Sequence, residues 1–150
     1  MIDVTGVLPQ IFSGLACGIV IGIDRSRHNK ATGLRTLGLV GLGAAAITAA
    51  ASQLGPAGSD PATVSRVMQG VLTGIGFLGA GVVLHGPREH HAHGLTTAAA
   101  VWMVAILGVI CGAGEWPLAM FCTLLAFILL SVGERAESWV SRNEKRPPKP

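Results

Sequence analysis

The chain has 150 residues, of which half are apolar and only 13% are charged. Soluble globular domains carry about 25% charged residues, so this composition, with a mean hydropathy of +0.57, excludes an ordinary soluble domain and indicates a polytopic membrane protein. The net charge of +3 does not indicate a nucleic-acid-binding protein, because the basic residues are few and lie between apolar segments.

Five apolar segments are long enough to cross a bilayer, although several are at the short end for ~30 Å of hydrocarbon. They predict an all-α fold, in which residues 1–133 form a bundle of five transmembrane helices and residues 134–150 form a short charged cytosolic tail. Within the tail, Glu134–Asn143 is predicted to form a short helix at the membrane surface. The predicted spans are Val7–Ile23, Leu34–Leu54, Val64–Leu84, Leu95–Ile110 and Trp116–Val132.

Glycine is unusually frequent, with 21 residues, and its spacing predicts how the spans pack. Three glycines in span one are four residues apart, so they share a helix face that another helix can approach closely. The uncharged segment Gln69–Leu84 in span three is also rich in glycine, and we predict that span three is the central helix of the bundle. The glycines predicted to pack against neighbouring helices are Gly14, Gly18, Gly22, Gly70, Gly74, Gly79 and Gly81.

The distribution of Lys and Arg predicts the orientation of the bundle. Of these 11 residues, all but Arg66 lie in the loop Asp24–Arg35, in the loop His85–Gly94 or in the C-terminal tail. With five spans these three segments lie on one side of the membrane, and basic loops favour the cytosolic side. We therefore predict an outside N-terminus and a cytosolic C-terminus.

This topology gathers polar residues at the cytosolic ends of the spans. We expect Asp24 to form an ion pair with Arg35, since a charge near lipid needs a partner. Two interpretations stay open: a structural one, in which the pair fixes the loop and Thr96 caps span four, and a functional one, in which the cluster binds a ligand, an ion or a partner. The predicted members of the cluster are Asp24, Arg25, Arg35, Thr36, Thr96 and Thr97.

A second polar group is predicted at the outer end of span three, where Arg66 and Gln69 share a helix face. Arg66 either extends toward water, pairs with Asp60, or faces the bundle interior with Glu115 as its partner. Asp60 or Thr63 is expected to cap the helix that forms span three.

The loop His85–Gly94 holds four of the five histidines, and imidazole is a good ligand for zinc, nickel or copper. The spacing matches no recognised metal site and lacks cysteine partners, so a solvated loop is favoured, with no metal and no cofactor. No span has an internal Asp or Glu that would carry Mg²⁺. Nucleotide-binding and hydrolase motifs are not found, so an enzyme is not expected.

Three segments resemble motifs of the MgtC/SapB family of bacterial inner-membrane proteins. The first family motif is similar to GIVIGIDR at 18–25 followed by KATGLRT at 30–36. The third-span motif resembles Val67–Leu84, and the fourth-span motif resembles GLTTAAAVW at 94–102. Their order and spacing also agree, and the resemblance covers about Gly18–Gly112.

The resemblance implies a five-helix protein of the bacterial inner membrane, linked to magnesium homeostasis or low-magnesium adaptation and, in pathogens, to survival inside host cells. The family usually has Glu where Asp24 stands and His where Leu37 stands, and many members carry a further cytosolic C-terminal domain. The polar residues that the resemblance maps onto this chain are Asp24, Arg25, Arg35, Thr36, Arg66, Gln69, Thr96 and Thr97.

From the residues and the resemblance we predict a non-enzymatic protein that contacts other membrane proteins and forms a homo-oligomer through glycine faces. Its surroundings are the lipid bilayer, and no nucleic-acid partner is expected. The alternative is an oligomeric Mg²⁺ or proton channel or transporter, in which Arg66 and Asp24 line the path.

Overall fold

The computed structural model describes residues 4–30, 32–54, 60–84 and 91–144. This described part of the chain contains five helices and no strand, and each helix has an apolar stretch long enough to cross a bilayer. The shortest helix has 19 residues, which corresponds to about 28 Å at 1.5 Å per residue. The predicted all-α fold with five spans is therefore confirmed. The helices are α1 (Val4–Arg27), α2 (Leu34–Ser52), α3 (Pro61–Leu84), α4 (His91–Gly112) and α5 (Trp116–Glu144).

α1, α3, α4 and α5 all extend beyond their predicted spans, and in α1 and α4 this changes the setting of the polar residues. α1 continues to Arg27, so Asp24 and Arg25 lie in its last turns and not in a loop. The helix continues because no glycine or proline interrupts this stretch. α4 begins at His91, so Thr96 lies inside the helix and the expectation that it caps span four is wrong.

Three helices, α1, α2 and α4, form the core of the bundle and approach to backbone contact. A Cβ atom placed on Gly14 would lie 2.9 Å from the carbonyl oxygen of Gly41 and 3.5 Å from the Cα of Gly108. A Cβ atom on Gly108 would lie 2.6 Å from the same carbonyl oxygen. Because helices in a bilayer associate through close van der Waals packing, the missing side chains let these three backbones meet.

The core helices have a defined direction relative to one another. α1 runs antiparallel to α2, since Gly14 lies beside Ala45 and Gly22 lies beside Leu34. α2 runs parallel to α4, since Gly112 also lies beside Ala45, one turn beyond the crossing of the three helices. Two parallel helices that are joined by one intervening helix require that helix to cross the membrane in the opposite direction, and this is the position of α3.

The prediction that span three is the central helix is wrong. No residue of its apolar stretch is buried, and within the described part of the chain α3 packs only on α2 and α4. Gly79 lies near Ala98, whose Cβ would be 3.7 Å from an added side chain. The glycines of α3 that have open space within 4 Å are Gly70, Gly74, Gly76 and Gly81. A glycine-rich face permits close packing, but it does not specify whether the partner belongs to the same chain.

α5 packs against α1 and α4 and is longer than predicted. Ala119 is fully buried, and the hydroxyl of Thr123 donates a hydrogen bond of 2.7 Å to its carbonyl oxygen. The predicted separate surface helix, Glu134–Asn143, is instead a continuation of α5, which ends at Glu144. Glu, Arg and Ala are good helix formers, and they extend the helix past Gly133.

Asp60 caps the N-terminus of α3. Its carboxylate accepts hydrogen bonds of 3.1 Å from the backbone amides of Ala62 and Thr63, and one of 2.6 Å from the Thr63 hydroxyl. The Thr63 hydroxyl, and after it the Ala62 amide, lowers the pKa of the Asp60 carboxyl, because these donors favour its charged form. Of the two predicted caps, the structure therefore selects Asp60.

Acidification is expected to loosen the first turn of α3. The pKa of Asp60 is lower in the folded than in the unfolded chain, so the cap is fully effective above the unfolded pKa and is lost as the pH falls through the folded pKa. Amide hydrogen exchange at Thr63 measures this, with Asp60→Asn as a cap that does not titrate. As the pH is lowered, the protection of the Thr63 amide should decrease more in the wild type than in Asp60→Asn. Parallel pH profiles of the two proteins would contradict the assignment of Asp60 as the cap.

Candidate functional site

A buried polar site joins α1, α4 and α5 at the end of the bundle where α4 begins. Arg25 is only 3% exposed, and its Nη2 donates a hydrogen bond of 2.6 Å to Oγ1 of Thr97 on α4. Thr97 is also buried. This hydrogen bond between α1 and α4 fixes the position of the guanidinium group.

Asp24, the preceding residue on α1, connects to α5. Its Oδ1 accepts a hydrogen bond of 2.9 Å from the hydroxyl of Ser131. His28 Nδ1 lies 2.8 Å from the backbone oxygen of Asp24 and 3.7 Å from its Oδ1. Successive residues of a helix project in different directions, so Asp24 and Arg25 bind two different helices and hold both against the end of α1.

The structure brings together three of the six residues predicted for this cluster, Asp24, Arg25 and Thr97. The predicted ion pair between Asp24 and Arg35 is not formed in the described part of the chain. Asp24 is buried toward α5, whereas the side chain of Arg35 is exposed at the start of α2. The pair is wrong because Arg35 lies on the side of α2 that faces away from α1.

The remaining three predicted residues have other settings. Arg35 and Thr36 line a groove between α2 and α3, together with Gly70 and Gly74. Thr96 is exposed and lines a cleft between α1, α4 and α5. Thr96 and Thr97 are consecutive residues of α4, and the rotation of about 100° per residue about the helix axis gives their side chains different neighbours.

Two residues of the site were not predicted from the sequence, Ser131 and His28. Ser131 is an isolated hydroxyl within the apolar run that ends span five, and such a residue in a membrane helix commonly hydrogen-bonds to another helix. His28 follows Asp24 by four residues, which is the spacing of neighbours on one helix face. Both signals were present in the sequence.

The cleft beside this site has a volume of about 730 Å³. Arg25, Lys30 and Thr96 line one end of it, and the rest of the lining is mainly apolar. Lys30 is held near this end because its backbone amide donates a hydrogen bond of 3.1 Å to the carbonyl oxygen of Arg25. The cleft thus combines a polar end with an apolar interior.

The predicted outer polar group lies on the exposed side of α3. Arg66 and Gln69 are both exposed, so Arg66 does not face the interior of this bundle. Nε2 of Gln69 donates a hydrogen bond of 3.3 Å to the hydroxyl of Ser65. Glu115, considered as a partner for Arg66, is exposed in the turn between α4 and α5, and no ion pair between the two is present among the described residues.

Most of the histidine loop lies outside the described residues, including His85, Glu89 and His90. His91 and His93 belong to the first turn of α4. Among the residues that the structure describes, no group of three His, Cys, Asp or Glu side chains is close enough to hold a metal ion. The prediction about this loop therefore stays a prediction.

The fold and the buried polar site define a small multi-pass α-helical membrane protein whose helices are tied together at one end. The model of the MgtC family matches residues 11–139, most of the chain. The chain belongs to the MgtC family, and the resemblance found in the sequence motifs is confirmed.

Relatives of known name support this assignment. The chain is 34% identical to the protein SrpB of Synechococcus elongatus over 96% of its own length and 85% of that protein. It is 35% identical to the "Putative magnesium transporter YhiD" of Escherichia coli K12, over 84% of the chain and 59% of YhiD. It is 34% identical to MgtC of Salmonella typhimurium LT2, over 77% of the chain and 47% of MgtC. No solved structure matches the chain.

Proposed function

We propose that this protein resides in the bacterial inner membrane and contributes to magnesium homeostasis or low-magnesium adaptation without acting as an enzyme. In this proposal it forms a homo-oligomer through α3 and acts by contact with other membrane proteins. Family membership and the name of YhiD support the link to magnesium. Because the chain covers only about half of MgtC and 59% of YhiD, the activity is proposed from its own residues.

The main observation behind the proposal is the glycine face of α3, formed by Gly70 and Gly74, where a neighbouring helix could pack closely. Gly70 and Gly74 are four residues apart, and a Cβ atom added to either would meet no atom of a neighbouring helix within 4 Å. A Cβ atom added to Gly14 or Gly108 would instead collide with a neighbouring helix. The spacing of four between small residues is typical of helices that pair within a membrane. A symmetric dimer requires a patch that is complementary to itself, and two such faces fit each other.

Polar side chains on the exposed side of α3 indicate that this side contacts protein rather than lipid. Gln69 and Thr73 are exposed on α3, well inside its apolar stretch, and Arg66 lies on the same side one turn earlier. Polar side chains inside a membrane usually face protein or a water-filled cavity, since hydrocarbon offers them no hydrogen bonds. A second helix against this face would supply partners for Gln69 and Thr73.

The alternative function is an oligomeric Mg²⁺ or proton channel or transporter with Arg66 and Asp24 on the path. Within the described residues, Asp24 is buried against Ser131 and lies on α1, which does not contact α3. The two residues therefore do not line one path within a single chain. Flux of Mg²⁺ or protons into liposomes that Arg66→Ala abolishes would favour this alternative over the contact function.

Gly74→Leu is expected to reduce self-association about tenfold or more, a loss of at least ~1.4 kcal/mol, because a bulky side chain would separate the paired helices. Two differently tagged copies expressed in one membrane, and their co-purification, measure this. The melting temperature of the isolated chain should not change, since Gly74 has open space around it. If the oligomer is the active form, cells that carry Gly74→Leu should also grow more slowly than the wild type at limiting magnesium.

Ala16→Leu is the matched control for this experiment. Ala16 is exposed on α1, which does not contact α3 within the residues that the structure describes, so the added side chain lies away from the proposed interface. This variant should associate and support growth like the wild type. Normal association of Gly74→Leu would contradict the proposed interface, and normal growth despite lost association would contradict the role of the oligomer.

A further inference from the structure

Two cysteine thiols lie against each other in the core of the bundle. Sγ of Cys17 on α1 is 3.9 Å from Sγ of Cys111 on α4, although the two residues are 94 positions apart in the sequence. Their exposed fractions are 5% and 0%, and both are free thiols in the structure. The pair is separate from the contact between Arg25 and Thr97, so the buried polar site does not account for it.

The backbones that carry these thiols are held close together by glycine. Three residues before Cys17, a Cβ atom on Gly14 would lie 3.5 Å from the Cα of Gly108, which is three residues before Cys111. Small residues at such a crossing let two membrane helices approach closely. Leu107 is fully buried in the same core cluster as the two cysteines. The contact between the sulfur atoms is therefore part of a packed crossing of α1 and α4.

The sulfur atoms are near enough for a covalent bond to form after a small movement. A disulfide places them about 2.05 Å apart, so they must approach by about 1.9 Å from their separation of 3.9 Å. Each Sγ atom ends its side chain, and rotation about the single Cα–Cβ bond moves it between staggered rotamers. The third cysteine, Cys122 on α5, makes no sulfur–sulfur contact within the described residues.

We propose that Cys17 and Cys111 are a redox-active pair, which a peroxide converts into a disulfide between α1 and α4 and which a thiol reductant reopens. In the first step the sulfur of Cys17 attacks one oxygen of hydrogen peroxide and the O–O bond breaks. Cys17 becomes a sulfenic acid, and its thiol proton leaves with the other oxygen as water.

The second step closes the bond. The sulfur of Cys111 attacks the sulfenic sulfur of Cys17, and the S–O bond breaks. The hydroxyl group leaves with the thiol proton of Cys111 as a second water molecule. The two thiols together lose two electrons and two protons, and one hydrogen peroxide molecule is reduced to two water molecules.

Burial determines the order and the pace of these steps. Cys17 retains an exposure of 5% and Cys111 has none, so a small uncharged oxidant reaches Cys17 first. Buried cysteines react slowly with external reagents, whereas the second step needs no external reagent because Cys111 is already in contact. The pair therefore responds to sustained exposure to oxidant, and the sulfenic acid is short-lived.

Mass spectrometry of the full-length protein in detergent tests the proposal. The chain is reduced, freed of reductant and exposed to hydrogen peroxide in the folded state, and the remaining thiols are then alkylated in denaturant. Of the three cysteines, Cys122 alone should be alkylated, and proteolysis should release a linked peptide pair that contains Cys17 and Cys111. Alkylation of all three after prolonged exposure, or a link that involves Cys122, would overturn the proposal.

Two variants show whether the bond depends on this pair within one chain. Cys111→Ser should form no internal disulfide, and the sulfenic acid on Cys17 should become trappable by dimedone. Gly74→Leu should form the disulfide like the wild type, because a Cβ atom at Gly74 would meet no atom within 4 Å. An internal disulfide in Cys111→Ser, or its loss in Gly74→Leu, would contradict the assignment of the pair.

Thermal unfolding measures what the bond does to the core. A disulfide that closes a long loop restricts the unfolded chain, so peroxide should raise the melting temperature of the wild type by about 5 °C or more. Dithiothreitol should restore the original value, and peroxide should not raise the melting temperature of Cys111→Ser. An equal rise in both proteins, or none in the cross-linked wild type, would contradict a covalent link between α1 and α4 that fits the native packing.

Discussion

Gly108→Leu is expected to prevent the bundle from folding. A Cβ atom at this position would lie 2.6 Å from the carbonyl oxygen of Gly41, 2.8 Å from the Cβ of Ala44 and 3.2 Å from the backbone nitrogen of Ala45. Two of these atoms belong to the backbone of α2, so rotation of a side chain cannot relieve the collision. Overpacking of a core usually costs ~1–3 kcal/mol, and a leucine against backbone is expected to exceed that range.

The measurement is thermal unfolding of the detergent-solubilised protein, followed by size-exclusion chromatography. Gly108→Leu should give little monodisperse protein, and Gly108→Ala should melt at a lower temperature than the wild type. Gly74→Leu is the control, because it adds the same side chain on α3, where nothing lies within 4 Å. Equal melting of Gly108→Leu and Gly74→Leu would contradict the placement of α4 in the core.

Arg25→Ala is expected to produce the second largest loss of stability. The variant removes the hydrogen bond of 2.6 Å to Thr97 and leaves the buried hydroxyl without this donor. A hydrogen bond to a charged group contributes ~1.5–3 kcal/mol, and the loss of the packed aliphatic part of the side chain adds to this. The free energy of unfolding should therefore fall by about 2 kcal/mol or more.

Arg35→Ala is the matched control for Arg25→Ala. Arg35 lies at the same end of the bundle, but its side chain is exposed, so the substitution should change the free energy of unfolding by no more than ~0.5 kcal/mol. Thr97→Val removes only the hydroxyl and should reproduce part of the effect of Arg25→Ala. Similar stabilities for Arg25→Ala and Arg35→Ala would show that the buried contact is not important for the fold.

The sequence predicted which segments are helices but not which helix lies in the centre. The apolar runs identified five spans, because length and hydropathy are properties of each segment alone. Position within the bundle depends on complementarity between two segments. Gly41 on α2 and Gly108 on α4 supply that complementarity to α1. An added Cβ on Gly70, Gly74, Gly76 or Gly81 of α3 would meet no atom within 4 Å, and one on Gly79 would lie 3.7 Å from the Cβ of Ala98.

The candidate site was predicted in part for a similar reason. Topology alone placed Asp24, Arg25 and Thr97 at one end of the bundle, and the structure joins Arg25 to Thr97. The sequence did not predict which side of each helix faces its neighbour. If the assumed contact residue is wrong by one position, the side chain points about 100° away around the helix axis. The same uncertainty led to the expected partner Arg35 for Asp24, whereas the structure supplies Ser131.

The parallel arrangement of α2 and α4 has a consequence for biosynthesis. α1 and α2 are consecutive and antiparallel, so they can form a hairpin as soon as both have left the ribosome and entered the bilayer. The side of α2 that carries Gly41 and Ala45 is completed by Gly108 and Gly112, which are synthesised only after α3. During translation this side of α2 therefore stays without its α4 partner until α3 has been synthesised and α4 follows it.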